Sequence, residues 1–270
     1  RRLASTHNDS AVRLWDVETG KELDVYKGHR EWVFFATFSP DGKRIASVSR
    51  DCMVKVWPVD GADPIDDLAG SVSLSEEQPG RHRMAISPDG ALLAALKNSE
   101  TVAILDVQSG LVRATMHVGP TVHALAFSPE SDHLAAAKSQ GLQIWDVETA
   151  KLVQDGPSDS AIWTIGFSPD GRWLAVGTEA RQVEIRQADT LATQIVLPCK
   201  YDFPLGRVAF SPDGKTLGVA TTGYPTQIHI WDVASWRLRA SYDEVMDGRS
   251  KMSTDLAFSP DGKILAVSQG

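Results

Sequence analysis

The chain has 270 residues, 42% of them hydrophobic, and its 27 basic against 35 acidic side chains leave a net charge of −8. That length and apolar content suit one large domain or two ordinary ones and exclude wholesale disorder. No run reaches the roughly 18 apolar residues of a membrane span. The acidic balance argues against a dedicated binder of nucleic acid or anionic membrane, which would carry a basic face.

Cys52 and Cys199 make no disulfide framework, so reduced thiols in a cytoplasmic protein are expected. The sequence opens at Arg1 without a methionine and closes at Gly270 straight after an apolar run. It reads as a piece of a longer polypeptide.

Along the chain one phrase recurs: Ser39-Pro40-Asp41-Gly42, then Ser87 to Gly90, Ser168 to Gly171, Ser211 to Gly214 and Ser259 to Gly262, with a degenerate copy at Ser128-Pro129-Glu130-Ser131. Successive starts lie 48, 41, 40, 43 and 48 residues apart. A second phrase keeps the same beat at Trp15-Asp16, Trp57-Pro58, Leu105-Asp106, Trp145-Asp146, Arg186-Gln187 and Trp231-Asp232. Two independent motifs locked to one period of about forty residues define a repeat architecture.

Each unit reads as four short strands. The first ends at the Ser-Pro-Asp-Gly phrase, as in Val33 to Phe38, Val122 to Phe127 and Ile162 to Phe167. The phrase itself is hairpin chemistry: proline presets φ, aspartate bonds nearby backbone, and glycine takes the left-handed position. The second strand follows, as in Ile45 to Val48 and Leu174 to Val176. The third ends at the tryptophan phrase, as in Val12 to Trp15, and a turn leads to a more polar fourth, as in Glu22 to Tyr26.

The second strands are small and apolar on both faces, so both faces must be covered. No stretch holds a helical period of ten residues or more, which excludes helical solenoids. Small sheets packed face to face remain: an all-β protein, a β-propeller of four-stranded antiparallel blades, about six to seven in number.

Across 1–270 this gives one domain. A partial blade at 1–27 precedes blades at about 28–69, 80–116, 117–155, 156–197 and 203–242, and a partial blade at 252–270 follows. Both terminal blades are incomplete. If Asp255 to Phe258 completed the first blade, six would close with Leu265 to Val267 surplus. Seven or more blades in a longer parent are expected instead.

Gly28-His29, Ser39-Pro40-Asp41-Gly42, Ile45-Ala46-Ser47, Asp51 and Trp57 stand at the spacing of one blade of the WD-repeat β-propellers, and the chain resembles that family over essentially its whole length. The resemblance implies a bracing hydrogen-bonded set of His29, Ser47, Asp51 and Trp57 in the second blade. In the first it implies Ser5, Asp9 and Trp15, whose histidine would precede Arg1. Elsewhere the aspartate site holds Ser99, Ser139, Ala180 and Pro225, and those blades are expected to rest on apolar packing alone. The regular wording looks like bacterial WD-repeat chains, where the propeller often follows a signalling segment, sometimes a serine/threonine kinase.

Catalytic patterns fail. Gly214-Lys215-Thr216 resembles the end of a phosphate-binding loop, but Ala209 stands where that loop needs its first glycine. No glycine-flanked nucleophilic serine appears. The histidines at 7, 29, 82, 117, 123, 133 and 229 show no paired helical spacing and no cysteine pairs join them, so no metal is expected. Asp60, Asp63, Asp66, Asp67, Glu76 and Glu77 lack the ligand order of a calcium loop and read as a solvated insertion. Asn8-Asp9-Ser10 matches a glycosylation sequon, but Asp9 belongs to a blade turn.

The chain therefore reads as a binding module, without enzyme activity or cofactor: a scaffold or sensor, monomeric within a longer chain, that docks a protein or peptide on one face, with no nucleic acid and no membrane. Trp15, Trp57, Trp145 and Trp231 belong to the core; Trp173 packs on an adjacent blade and Trp236 lies near the outer edge. Trp32 and Trp163 enter first strands, where large aromatics serve as interface anchors; the alternative is that they only plug the mouth of the central channel. With them, Phe34, Arg50, His123, Lys138 and Arg207 form the expected partner-binding set, the cationic groups pairing acids on the ligand.

The rival is a propeller tied to an enzyme or a periplasmic complex, of Tol type or gating a prolyl peptidase. Those families share the Pro-Asp-Gly phrase but lack the Trp-Asp ending that this chain keeps three times. A lactonase-like hydrolase would need metal-binding carboxylates along the channel, and none is placed for that.

Overall fold

A computed structural model describes residues 2–39, 42–51, 53–59, 84–109, 111–198, 204–222, 226–244 and 254–269, without the side chains of Phe34, Phe35, Val48, Glu244, Thr254, Ser268 and Gln269. Every regular element among the described residues is a β-strand. The first sheet is β1 (Arg2–Thr6), β2 (Ala11–Asp16) and β3 (Glu22–Lys27); the second is β4 (Val33–Phe38), β5 (Arg44–Ser49) and β6 (Val54–Pro58).

Four four-stranded sheets follow. They are β7 (Met84–Ile86), β8 (Leu92–Asn98), β9 (Thr101–Asp106) and β10 (Val112–His117); then β11 (Val122–Phe127), β12 (His133–Lys138), β13 (Gly141–Asp146) and β14 (Leu152–Pro157). Next come β15 (Ile162–Phe167), β16 (Trp173–Thr178), β17 (Val183–Gln187) and β18 (Thr193–Val196), and β19 (Leu205–Phe210), β20 (Thr216–Thr221), β21 (Thr226–Asp232) and β22 (Arg237–Glu244). A two-stranded sheet of β23 (Thr254–Phe258) and β24 (Leu265–Gln269) ends the series. The fourth strand expected for the second blade, the acidic insertion and both cysteines lie outside the described residues.

Each sheet runs in chain order as an antiparallel meander, the arrangement of a propeller blade. Its hairpins are built by the repeated phrase. In the fifth sheet the Ser168 hydroxyl donates to Asp170 at 2.5 Å while its oxygen accepts the Trp173 N–H at 2.9 Å. The Gly171 N–H closes the turn on the Ser168 carbonyl at 2.9 Å, with φ at +70°. The serine is thus the hub, a role that the turn statistics of proline, aspartate and glycine do not reveal. In the degenerate copy Ser131 itself takes φ +64° and Asp132 accepts the Ser128 hydroxyl at 2.7 Å. The third-to-fourth-strand turns repeat a second device: Asp16, Asp106, Asp146 and Asp232 each accept a backbone N–H and a hydroxyl three residues on.

The second strands are buried on both faces, as β8 and β16 show, whereas the fourth strands β10 and β14 are largely exposed. The chain forms two compact units, one of 1–134 with 145–152, the other of 135–144 with 153–270. In the first, β1 neighbours β4, β4 neighbours β7, and β7 neighbours β11. Trp57 packs with Val12, Leu14 and Tyr26 of the preceding sheet, and Leu93, Leu105 and Met84 pack on Ala46, Val54 and Val56. In the second, β15 neighbours β19 and β19 neighbours β23, and Trp231 packs on Ala175, Val183 and Ile185. A third-strand tryptophan therefore seals the seam with the blade before it, each such large side chain contributing about 2–3 kcal/mol of burial.

Candidate functional site

An antiparallel meander puts its Ser-Pro-Asp-Gly turn and its third-to-fourth-strand turn at one end of the blade. The loop from second to third strand and the segment entering the first strand share the other end, called the rim below. In the second blade the rim is fixed from beneath. The Trp57 indole N–H donates to the Ser47 oxygen at 2.7 Å, and Ser47 meets His29 Nε2 at 2.8 Å. His29 Nδ1 meets Asp51 at 2.9 Å, and Asp51 accepts the N–H of Arg30 at 2.8 Å and of Met53 at 3.0 Å.

Only one assignment gives every group a role. The carboxylate can only accept and the indole N–H can only donate, so Nδ1 carries the proton and Nε2 accepts from the Ser47 hydroxyl. Burial is the largest influence on His29 and lowers its pKa against the pull of Asp51, which keeps the ring neutral. Burial alone would raise Asp51, but the Arg30 N–H, His29 and the Met53 N–H together outweigh it and hold the carboxyl below its usual range.

In the first blade Trp15 donates to Ser5 at 2.7 Å, and Ser5 meets His7 Nε2 at 2.7 Å. His7, two residues beyond Ser5, thus stands where sequence spacing points only to a histidine ahead of Arg1. Asp9 turns instead to the Arg13 guanidinium, whose hydrogen bond is the main reason its pKa falls to about 2.

The fifth blade departs from the expectation of apolar packing alone. Arg186, at the tryptophan position, is buried and donates to Glu184 at 2.9 and 2.7 Å. Ser160 accepts the Ala180 N–H at 3.0 Å, so the loop that lost its aspartate is tied from the opposite side. The main chain repeats one bond at three rims: Arg50 N–H to Trp32 O at 2.8 Å, Glu179 N–H to Ala161 O at 2.7 Å, and Thr222 N–H to Pro204 O at 2.8 Å.

Above the brace, Trp32 is 47% exposed and the Arg50 guanidinium lies over its ring, 5.7 Å from the centroid. Ser49 secures this pair by donating to the Glu31 carbonyl at 2.8 Å. Phe34 follows in β4, but its side chain lies outside the described residues. In the first unit as well, His123 is half-buried in β11.

In the second unit Trp163 is 41% exposed, while its neighbour Ile162 is fully buried. The pairing of β15 with β16 slips between Ile162 and Thr164, so Trp163 occupies a β-bulge that turns it outward. The same slip occurs between Val33 and Phe35 and between Leu205 and Arg207. Counted from the hairpin phrase, Trp163 therefore answers to Phe34 and Ala161 to Trp32. The two exposed indoles are not equivalents. Lys138 is half-buried at the end of β12. Arg207 faces Asp255 of the following sheet at 3.5 Å with 26% of its side chain exposed, so that guanidinium serves a seam between blades.

At the opposite end of the fifth sheet, Arg172 stacks over Trp173 at 5.5 Å and Trp236 meets Trp173 edge-on at 6.1 Å. A half-open cleft of about 300 Å³ beside them is lined by Asp170, Arg172, Trp173, Gln187 and Asp189. No group of three or more His, Cys, Asp or Glu among the described residues is placed to hold a metal ion. No helix among them is long and apolar enough to cross a membrane.

Comparison with known proteins meets this geometry. The family model for the WD domain, G-beta repeat, matches residues 20–58, and that for the anaphase-promoting complex subunit 4 WD40 domain matches 116–204. The chain is 31% identical over 138 residues to the small ribosomal subunit protein RACK1y of Oryza sativa subsp. japonica, covering 50% of this chain and 39% of that protein. It is 25% identical over 183 residues to the WD repeat-containing protein WDS homolog of Arabidopsis thaliana, covering 64% and 34%. With the ribosome biogenesis protein YTM1 of Kluyveromyces lactis it shares 26% identity over 202 residues, covering 68% and 42%. The chain thus spans less than half the length of these curated relatives. With its meandering blades and its Trp57–Ser47–His29–Asp51 chain, the protein carries WD repeats where the two models match it and is similar to the WD-repeat β-propellers.

Proposed function

We propose that this chain is a non-catalytic docking module for a protein or peptide, seated at the rim of its blades. It would act as the regulatory propeller of a larger signalling polypeptide of bacterial type in the cytoplasm. The observation that carries the reading is the exposed Trp32 under Arg50, held over a buried polar brace. A large apolar ring is kept in water by a structure that spends several hydrogen bonds on its position, as an interface anchor requires. The two relatives named for the ribosome, a subunit protein and a biogenesis protein, are named for an assembly, which suits a docking role here too.

The chemistry of the brace supports binding rather than turnover. His29, the imidazole of the brace, has both ring nitrogens engaged, Nδ1 by Asp51 and Nε2 by Ser47, which suits a structural role. The test is affinity capture from the source cell with the tagged chain and its Trp32→Ala and Trp163→Ala variants, each first shown to melt like the parent. Loss of a captured partner with either variant, corresponding to roughly 2 kcal/mol or more for a central aromatic, is expected. Unchanged recovery with both variants retires the rim as the docking surface.

A further inference from the structure

We infer that the sixth sheet pairs with its equivalent in a second copy of this chain, β22 against β22 in antiparallel order, which makes the module a dimer rather than the monomer expected above. Among the described residues β22 is bonded to β21 alone, so its other edge presents a row of backbone donors and acceptors that a further strand can take. At eight residues it is the longest of the fourth strands; β3, β10 and β14 have six and β18 has four. Its register with β21 breaks once, at Arg239, and runs unbroken from Ala240 to Glu244. Two of its large apolar side chains face water, Leu238 at 43% and Tyr242 at 59% exposure.

Charge selects the occupant. Arg237 and Arg239 stand at the start of β22 and Asp243 near its end, all three exposed. Antiparallel self-pairing lays the basic end of each strand beside the acidic end of the other, and opposite charges across a ladder attract. The other fourth strands are poorer templates. Strand β10 has no acid, β14 no base and β18 no charge, and in β3 the leading acid, Glu22, already meets Arg13 at 3.2 Å. Within its own chain Arg239 has Asp232 at 3.8 Å, while Arg237 and Asp243 enter no ion pair among the described residues.

Pairing with β21 fixes the faces, because residues opposite each other share one. Ala240 and Tyr242 lie with Ile230 and Ile228, and Leu238 and Asp243 with Trp231 and Gln227. A two-fold axis beside Ser241 then sets Tyr242 of each copy over Ala240 of the other. On the opposite face Asp243 of each copy meets the Leu238–Arg239 bulge of the other. One register thus covers both exposed apolar side chains and gives Asp243 a counter-charge, in the self-complementary manner of a two-fold interface.

The test is sedimentation equilibrium of the 270-residue chain over a range of concentrations. The parent is compared with Tyr242→Asp, Asp243→Arg, Arg239→Glu and an equimolar mixture of the last two, each variant first shown to melt like the parent. The parent should dimerise, and Tyr242→Asp should abolish the dimer. Asp243→Arg or Arg239→Glu alone should weaken it about tenfold, since each sets like charges together at two symmetric contacts. The mixture should regain the lost affinity, because every contact across a mixed pair again joins unlike charges. A parent that stays monomeric, a dimer indifferent to Tyr242→Asp, or a mixture no tighter than its components would overturn the pairing.

Discussion

In the second blade the rim loops are joined by a buried polar chain from Trp57 through Ser47 and His29 to Asp51. In the fifth blade, counting from the hairpin phrase, the same four positions hold Arg186, Val176, Ser158 and Ala180. Both blades nevertheless close the rim with the same backbone bond, Arg50 to Trp32 and Glu179 to Ala161. The requirement is therefore on the backbone, and side chains meet it in more than one way. In the second blade a carboxylate from the loop after the second strand reaches across to the Arg30 N–H. In the fifth, Ser160 reaches back the other way to the Ala180 N–H.

The largest effect expected from breaking this comparison lies in the fifth blade. Arg186 is 5% exposed and its charge is met by Glu184. Removing one partner of a buried pair leaves an uncompensated charge, whereas replacing the pair with apolar groups is often neutral. Glu184→Ala should cost about 3 kcal/mol in chemical unfolding. The double variant Glu184→Val with Arg186→Trp, which restores the aromatic found at Trp15, Trp57, Trp145 and Trp231, should recover most of that loss. A double variant as unstable as the single one would show that the site needs the ion pair itself.

A smaller effect sharpens the contrast between the two ties. Asp51→Ala removes a carboxylate that serves His29 and two amides, and should cost about 2 kcal/mol. Ser160→Ala removes one bond from a part-exposed loop and should cost about 0.5–1 kcal/mol. Denaturant melts of both variants decide it: equal losses would mean that the buried chain contributes nothing beyond its single tie to the entering loop.

Much of this architecture is legible in the residues. Proline, aspartate and glycine in a fixed order force a turn, so β4 and β15 fall where the apolar runs before the phrase place them, and β11 does the same before the degenerate copy. The brace of the second blade is legible because its four residue types stand together. What stays hidden depends on three dimensions. The outward turn of Trp163 comes from a bulge, which a run of apolar letters cannot display. His7 on Ser5 and Ser160 on Ala180 use short polar residues in loops, where composition alone names no partner. Arg186 reads as a defect at a tryptophan site until Glu184, two residues earlier on the same face of β17, supplies its counter-charge. Arg207 likewise reads as a ligand-facing cation until Asp255 is brought beside it by the next blade.

The smallest predicted effect is on pH dependence, and it separates the blades by their titrating groups. Folding lowers the His29 pKa from its ordinary value of 6.5. The unfolded chain therefore binds this proton more readily, and acid favours unfolding. The stability linked to neutral His29 is complete above pH 6.5 and is lost as the pH falls through the lowered folded value. Asp51, also lowered by folding, adds a second loss as the pH falls below its ordinary 3.8. The fifth blade has Ser158 where the second has His29, so it should show no step in the upper window. Hydrogen exchange resolved by peptide between pH 7 and pH 5 should show protection of β5 and β6 declining relative to β16 and β17, after correction for intrinsic rates. His29→Gln should flatten that difference. A decline of equal size in both blades would place the proton on some group other than His29.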